Sequence, residues 1–397
     1  MANSGRYDGS PHYAIVGGGA FGASTALALK QRLPTSRVTL FKGTQSHTAS
    51  TDINKIIRSA YTVQDYVPLA NKAMQQWKSN PLYSPYFHQT AWIQVRGIGN
   101  YQNVHRGQDD KMISAEQHLR LTGSLQSPRI DDEEEFWLNE DIGYVDSALA
   151  LNAVIEKAIK LGVEVRSQNA LGLIIESNGV CRGVRSVDGC TIADETIVAA
   201  GAWTPTLLKN SKVNLFQDEA KQKNFFNTTA VGVATLALTN EEFERLQNTP
   251  IIVTNKGEVM LSKKHQVLKI TSTKTFPVDD LNNLSTIMVN VTQNQTVLDN
   301  MFPEFQGREL HTWACPDLLT PLQDPVVDRA PYNMGLHIAT GGSYHSYKFL
   351  PIIGGMVVDH LQGKIDTLRD GRWKLERSLA KSAIHPSVVP EGCPVPA

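Results

Sequence analysis

Residues 13–22 read YAIVGGGAFG and run directly into ASTALALK. Four residues of strand-forming character meet a glycine cluster, and an Ala- and Leu-rich segment follows at once. The pattern predicts a strand, a tight turn and a helix N-terminus. RVTLF, at 37–41, predicts a second, buried parallel strand. Residues 63–77 have amphipathic helical spacing that reaches Pro81, and TAWIQV at 90–95 reads as a strand. Residues 96–128 are polar and poorly periodic, apart from a helical patch at 114–121. From Asp146 onward, SALALNAVIEKAIKLG predicts a helix ending at Gly162, with VEVRS as a short strand after it.

The stretch 171–203 reads as successive short strands with turns at Asn178-Gly179 and Asp188-Gly189. It closes on an apolar strand, Thr196 to Ala200, that enters Gly201-Ala202-Trp203. From 215 to 310 the strand–helix rhythm stops. TTAVGVATLAL, PIIVT, EVMLS, QVLKITS and STIMVNVTQ instead predict an antiparallel sheet with one solvent face, assigned to a second, substrate-covering domain. The last third, GLHIATGGSYHSYKFLPIIGGMVVDHLQG, gives a strand ending at Gly341-Gly342, a short loop and a helix. The chain is thus expected to be α/β, a Rossmann-type domain with an interleaved antiparallel-sheet domain. The expected bounds are 1–80, 140–210 and 325–385 for the first, 81–139 and 211–324 for the second, and 386–397 for a C-terminal tail.

Gly17, Gly19 and Gly22 have the GxGxxG spacing. The first makes the turn, the second lets backbone approach a pyrophosphate, and the third lets helix and strand pack closely. The helix N-terminus adds N–H groups and the positive end of the dipole. About 20 residues on, where a dinucleotide fold places an acid for the ribose hydroxyls, this chain has Lys42. Either Thr44, Gln45 or Ser46 takes over the ribose, or Lys42 meets a 2′-phosphate. Residues 47–61, HTASTDINKIIRSAY, read as a surface loop entering a helix with Thr51 or Asp52 as N-cap, or as a cofactor-covering loop whose Lys55 and Arg58 face an anion. Lys269, among apolar neighbours in a strand, either snorkels from a sheet edge or faces a cofactor. Lys348 puts a cation at the ligand end of the sheet, and Cys315 on composition alone is a small buried hydrophobe.

Composition narrows the class. The formal charge of −1 over 397 residues argues against a nucleic-acid partner, and DDEEE at 131–135 reads as a solvated segment. The N-terminal residues lack the apolar core of a signal peptide, and no apolar run reaches membrane-spanning length. The C-terminus is neither a peroxisomal nor a prenylation signal, so the expected location is intracellular and cytoplasmic. Cys181, Cys190, Cys315 and Cys393 are scattered, fit a reducing compartment and show no zinc-ligand spacing.

With these residues in view, the chain resembles the sarcosine oxidase and fructosyl amino acid oxidase (amadoriase) family of FAD-dependent amine oxidases, within the D-amino acid oxidase-like superfamily. IVGGGAFGASTALAL resembles the family's FAD fingerprint, DINKIIRSAY the amadoriase form of the next loop, and AAGAW the close of the third segment. Cys315 to Asp328 has the length of the family's segment from its flavinylated cysteine to a matching aspartate, and IATGGSYHSYKF is similar to ATGGSGHGFKF.

The resemblance implies FAD bound covalently, with Cys315 in a thioether to the isoalloxazine 8α-methyl. It implies Lys269 over the flavin, assisting oxygen, since superoxide forms more readily beside a positive charge. Arg58 and Lys348 would clamp an amino acid's carboxylate. The implied cofactor-binding set is Gly17, Gly19, Ala20, Phe21, Gly22, Lys42, Ser50, Lys55, Val165, Ala200, Gly201, Trp203, Cys315, Gly342, Tyr344 and Lys348, with no metal. The implied partners are a small-molecule amine and dioxygen, and the implied state is a monomer.

Three departures fall on this pattern. Lys42 replaces the ribose acid, Asp317 stands where an aromatic residue is common, and Tyr344 and Ser346 replace two glycines. Asp317 and Tyr344 are therefore assigned to the substrate pocket, and a bulky Tyr344 argues against a sugar adduct. The implied reaction is oxidation of a secondary or N-alkylated amine, with hydride passing from the α-carbon to flavin N5 and an imine and hydrogen peroxide as products. A biosynthetic oxidase of a specialised metabolite fits the altered pocket. The alternatives are an FAD dehydrogenase with another acceptor, an NADP-dependent dehydrogenase suggested by Lys42, and a non-catalytic flavin-binding relative.

Overall fold

A computed structural model describes residues 9–45, 47–61, 63–96, 110–131, 134–281 and 291–376. Ser46, Asp132 and Glu133 of the acidic run, Cys393 and the tail 386–397 lie outside the described residues. Among the described residues no helix is long and apolar enough to cross a membrane.

The chain divides into two compact units. Of the described residues, the first comprises those within 9–45, 151–227 and 318–376, and the second those within 47–150 and 228–317. These bounds differ from the expected ones in that 47–80 and 140–150 cluster with the second unit, and 211–227 and 318–324 with the first. The reason for the largest shift is strand pairing. Lys55–Ile57 and Phe87–Gln89 both pair antiparallel with Gly143–Val145, which ties all three segments into one small sheet.

The first unit is built on a six-stranded sheet in the order Val326–Arg329, Leu336–Thr340, Glu195–Val198, His12–Val16, Arg37–Phe41 and Glu164–Arg166. All neighbours are parallel except the edge strand Val326–Arg329. Helix Ala20–Arg32 has an unbroken buried run from Ala20 to Leu29, as its small and apolar residues permit. Helix Leu350–Leu361 packs on it so closely that a Cβ at Gly354 would lie 2.1 Å from the Ser24 carbonyl. The Ser24 hydroxyl donates to Leu350 O and accepts from Gly354 N–H at that crossing. The predicted hairpins form a separate three-stranded sheet, with Gly179 and Gly189 at positive φ in the expected turns.

The second unit carries an eight-stranded sheet in the order His311–Leu319, Asn227–Ala237, Val267–Pro277, Gly257–Ser262, Ile251–Val253, Trp92–Arg96, Glu135–Asn139 and Lys111–Ile113. It is antiparallel where pairing is defined, apart from one parallel pair, Ile251–Val253 with Trp92–Arg96. STIMVNVTQ is not a strand where it is described, because Val291–Gln293 opens helix Val291–Met301.

Alternation along these strands sorts the two faces. Ile93, Val95, Ile252, Val259, Leu261, Leu268, Ile270, Ala234 and Leu236 form one apolar core with Val297, Leu298 and Met301 of that helix. The register puts Lys269 opposite Met260 and Thr235, and Glu258 opposite Thr271, all on the other face. Trp92 and Gln94 continue that face across Ile251 and Val253.

Candidate active site

In the first unit the sequence motif becomes a cradle made from backbone. Gly17 has φ +115°, its N–H donates to Phe41 O at 2.9 Å, and a Cβ there would stand 2.1 Å from Ala199 O. At Gly22 a Cβ would meet Gly17 O at 1.8 Å, so only glycine allows this strand–helix approach. Gly19 caps the helix without a side-chain hydrogen bond, and the first turn holds no acid to compete for an anion. Ala20 and Phe21 are buried behind it. The residues present therefore fit a dinucleotide's phosphates.

The surrounding assignments are placed as follows. Lys42 N–H donates to Arg166 O, and its stem fills the space beside Gly18. Thr44 and Gln45, the candidates for the ribose, both engage Asn169. Val165 is half-buried in its strand beside Leu40. Ala200, Gly201 and Trp203 form the turn after Glu195–Val198, where Gly201 has φ +52° and open space at its Cβ position. After Leu336–Thr340 come Gly341 at φ +79°, Gly342, Ser343 at +48° and Tyr344 at +61°. Tyr344 thus keeps a glycine-type backbone while carrying a large side chain, a strain on the order of 1–2 kcal/mol. Lys348 is buried in the short turn Ser346–Phe349.

In the second unit, side chains from distant segments converge on the polar sheet face. Asp52 is not a helix cap, which corrects that expectation: the chain after it becomes strand Lys55–Ile57. Its carboxylate is buried and accepts from Lys269 Nζ at 2.5 Å and Lys55 Nζ at 2.7 Å, both on Oδ2, while Oδ1 accepts from Ile53 N–H at 2.8 Å. Lys269 is 2% exposed and also donates to Asn54 O at 3.0 Å, so it faces inward and does not snorkel. Ser50 sits in the turn before this segment, its N–H donating to Thr48 Oγ1.

The electrostatics follow from burial and pairing. Burial opposes ionisation of Asp52, but Lys269 and Lys55 outweigh it and hold its carboxyl well below the usual range. Lys55 is pushed up, Asp52 overcoming the cost of burial. Lys269 is pushed down by burial and by Lys55, against the pull of Asp52. Cys315, a buried free thiol, is pushed up to about 11 by burial, although Lys55 and Lys269 both favour its thiolate. Asp317, two residues on, shares that strand face and is buried. Arg58 is buried, donates to Ala60 O and lies over the Tyr61 ring at 4.5 Å and the Trp92 ring at 6.0 Å.

The structure therefore brings together Lys55, Arg58, Lys269, Cys315 and Asp317 in one unit. The glycines, Lys42 and Lys348 belong to the other. Sequence reasoning missed Asp52 as an ion-pair partner, along with Asn54 and Glu258. For Glu258 a signal existed: in EVMLS it shares the alternation that faces Met260 toward Lys269.

The chain is similar to known proteins over nearly its full length. The L-saccharopine oxidase of Schizosaccharomyces pombe is 25% identical, covering 91% of this chain and 92% of that protein. The N-methyl-L-tryptophan oxidase of Salmonella typhi is 22% identical, covering 91% and 98%. Among solved structures, the modified fructosyl peptide oxidase of Aspergillus nidulans superposes with a TM-score of 0.80 at 23% identity, covering 95% of this chain and 96% of that one. That likeness supports the α/β fold with its interleaved sheet domain. The sequence model of the DAO family, described as FAD dependent oxidoreductase, matches residues 12–360, and the chain belongs to that family.

Proposed function

We propose that the chain is an oxygen-reducing oxidase of a secondary or N-alkylated amine derived from an amino acid. The observation that carries this reading is the Lys269–Asp52–Lys55 cluster, a buried ammonium held in place by a carboxylate beside a buried cysteine. Saccharopine and N-methyltryptophan, named for two relatives, are N-substituted amino acids, which supports the substrate class.

Bound FAD supplies the redox chemistry, taking two electrons from the amine and yielding them to dioxygen as hydrogen peroxide. Gly17, Gly19, Ala20, Phe21 and Gly22 would hold its phosphates by backbone, with Lys42, Ser50, Val165, Ala200, Gly201, Trp203, Gly342 and Tyr344 assigned to the rest. Cys315 would anchor it covalently; burial holds its thiol up at about 11, and the ammonium groups of Lys55 and Lys269 offset that only in part. Lys269 places positive charge where oxygen acquires negative charge, and Asp52 fixes its position. Arg58 and Lys348 would bind the substrate carboxylate, and Arg58 is held rigid by its two aromatic neighbours. Asp317 and Tyr344 would shape the substrate pocket, and the protein would act as a cytoplasmic monomer.

The test is anaerobic bleaching of the purified yellow protein against N-methyl, cyclic and glycated amino acids, followed by admission of air. Bleaching by at least one amine with peroxide on reoxygenation is expected. Flavin that no amine bleaches contradicts the oxidase reading. Flavin wholly released by acid precipitation contradicts the covalent link.

A further inference from the structure

Glu258 lies on the same sheet face as Lys269, on the adjacent strand and one step off register: it faces Thr271, while Lys269 faces Met260. Diagonal neighbours of this kind are separated by roughly 7–8 Å. The two side chains form no ion pair, and Glu258 Oε2 is buried with no hydrogen-bond partner among the described residues. Asn54 Oδ1, on the residue whose carbonyl receives Lys269, is also buried without a partner. Two orphaned acceptors beside a cation cluster are costly unless a donor arrives, because a buried unsatisfied acceptor costs on the order of 1–3 kcal/mol.

The charged groups facing Glu258 are Lys269, Lys55 and Arg58, with Asp52 as a second carboxylate. A substrate ammonium entering among these cations needs a negative partner. Asp52 cannot supply one, since its oxygens already receive Lys269, Lys55 and Ile53 N–H and its basicity is suppressed. A protonated secondary amine brings two N–H donors, matching the orphaned acceptors in number. Resting on the amine oxidase reading, we propose that Glu258 receives the substrate's ammonium group and accepts its proton, leaving the bound amine neutral before oxidation. The step is a single proton transfer: one N–H bond breaks, one O–H bond forms on the carboxylate, and no electrons move. Burial pushes the Glu258 carboxyl up from the ordinary range, which makes it a stronger base than a surface glutamate.

The test compares wild type with Glu258→Gln, using an N-methyl amino acid that bleaches the wild-type flavin and the same molecule with sulfur replacing the amine nitrogen. Calorimetry gives both affinities, and anaerobic bleaching from pH 5.5 to 10 gives the acid limb. The variant should bind the amine about 10- to 100-fold more weakly at pH 7 and the sulfur analogue as well as wild type. Its acid limb should move up toward the amine's own solution pKa, converging on wild type near pH 10. Glu258→Asp, which keeps the carboxylate, should retain part of the wild-type limb and covers the case of a Gln variant that loses flavin. Equal weakening of both ligands, or an unmoved acid limb, overturns the role of Glu258 alone. Failure of every amine to bleach wild type overturns the oxidase reading itself, and this inference with it.

Discussion

At Gly17 the local structure is set by backbone, and what matters is the absence of a side chain. In the Asp52 cluster it is set by side chains, and what matters is that three charges from two distant segments meet in a largely buried place. The first feature spans six residues of continuous sequence. The second joins residues 217 apart, Asp52 and Lys269. The glycine turn tolerates no added atom, whereas the charge cluster tolerates no missing partner.

Breaking the first region should have the larger effect. Gly17→Ala places a Cβ 2.1 Å from Ala199 O at a left-handed backbone position. The expected result is protein without bound flavin, destabilised by several kcal/mol, on the order of overpacking plus backbone strain. Flavin absorbance and thermal melting read both, and a yellow variant of wild-type stability would refute the cradle.

Asp52→Asn tests the second region. The buried Lys269 ammonium and the half-buried Lys55 ammonium lose their counter-charge, so a loss of about 3–5 kcal/mol is expected. The double variant Asp52→Asn/Lys269→Met removes one stranded charge with its partner, and should lose clearly less than the sum of the single variants. Additive losses would mean that Asp52 and Lys269 do not act as a pair.

The smallest expected effect concerns acid sensitivity within the second unit. His118 is buried against Phe136, neither ring nitrogen has a partner among the described residues, and burial pushes it down to about 4. The folded pKa is depressed below the ordinary 6.5, so its stability contribution is full above about pH 6.5 and is lost as pH falls toward 4. By pH 5.5 the loss is on the order of 1 kcal/mol from this group. Melting curves of His118→Leu should show less acid destabilisation than wild type over pH 7.5 to 5.5. Parallel pH dependence would remove His118 from the account.

The same contrast explains what could be read in advance. RVTLF, the first helix and the hairpins at Gly179 and Gly189 were legible because period, glycine position and turn chemistry are local. Asp52 was not, since a carboxylate ahead of a β-rich segment looks like a helix cap until strand pairing removes the helix. Lys269 was legible as unusual, yet its inward orientation depended on the register with Met260, which no single strand reveals. The unit boundary near residue 47 was hidden for the same reason: it rests on pairing of Lys55–Ile57 with Gly143–Val145. Tyr344 shows the converse, a position whose left-handed backbone the sequence disguises because it holds no glycine.

The central claim is that the buried Lys269 ammonium serves the oxygen half of an amine oxidation. Stopped-flow reoxidation of substrate-reduced Lys269→Met by dioxygen, beside its anaerobic reduction by the same amine, tests it directly. The account predicts reoxidation slowed by at least about 100-fold, the scale of losing one preorganised electrostatic group, with amine reduction changed far less. Reoxidation at the wild-type rate would contradict it.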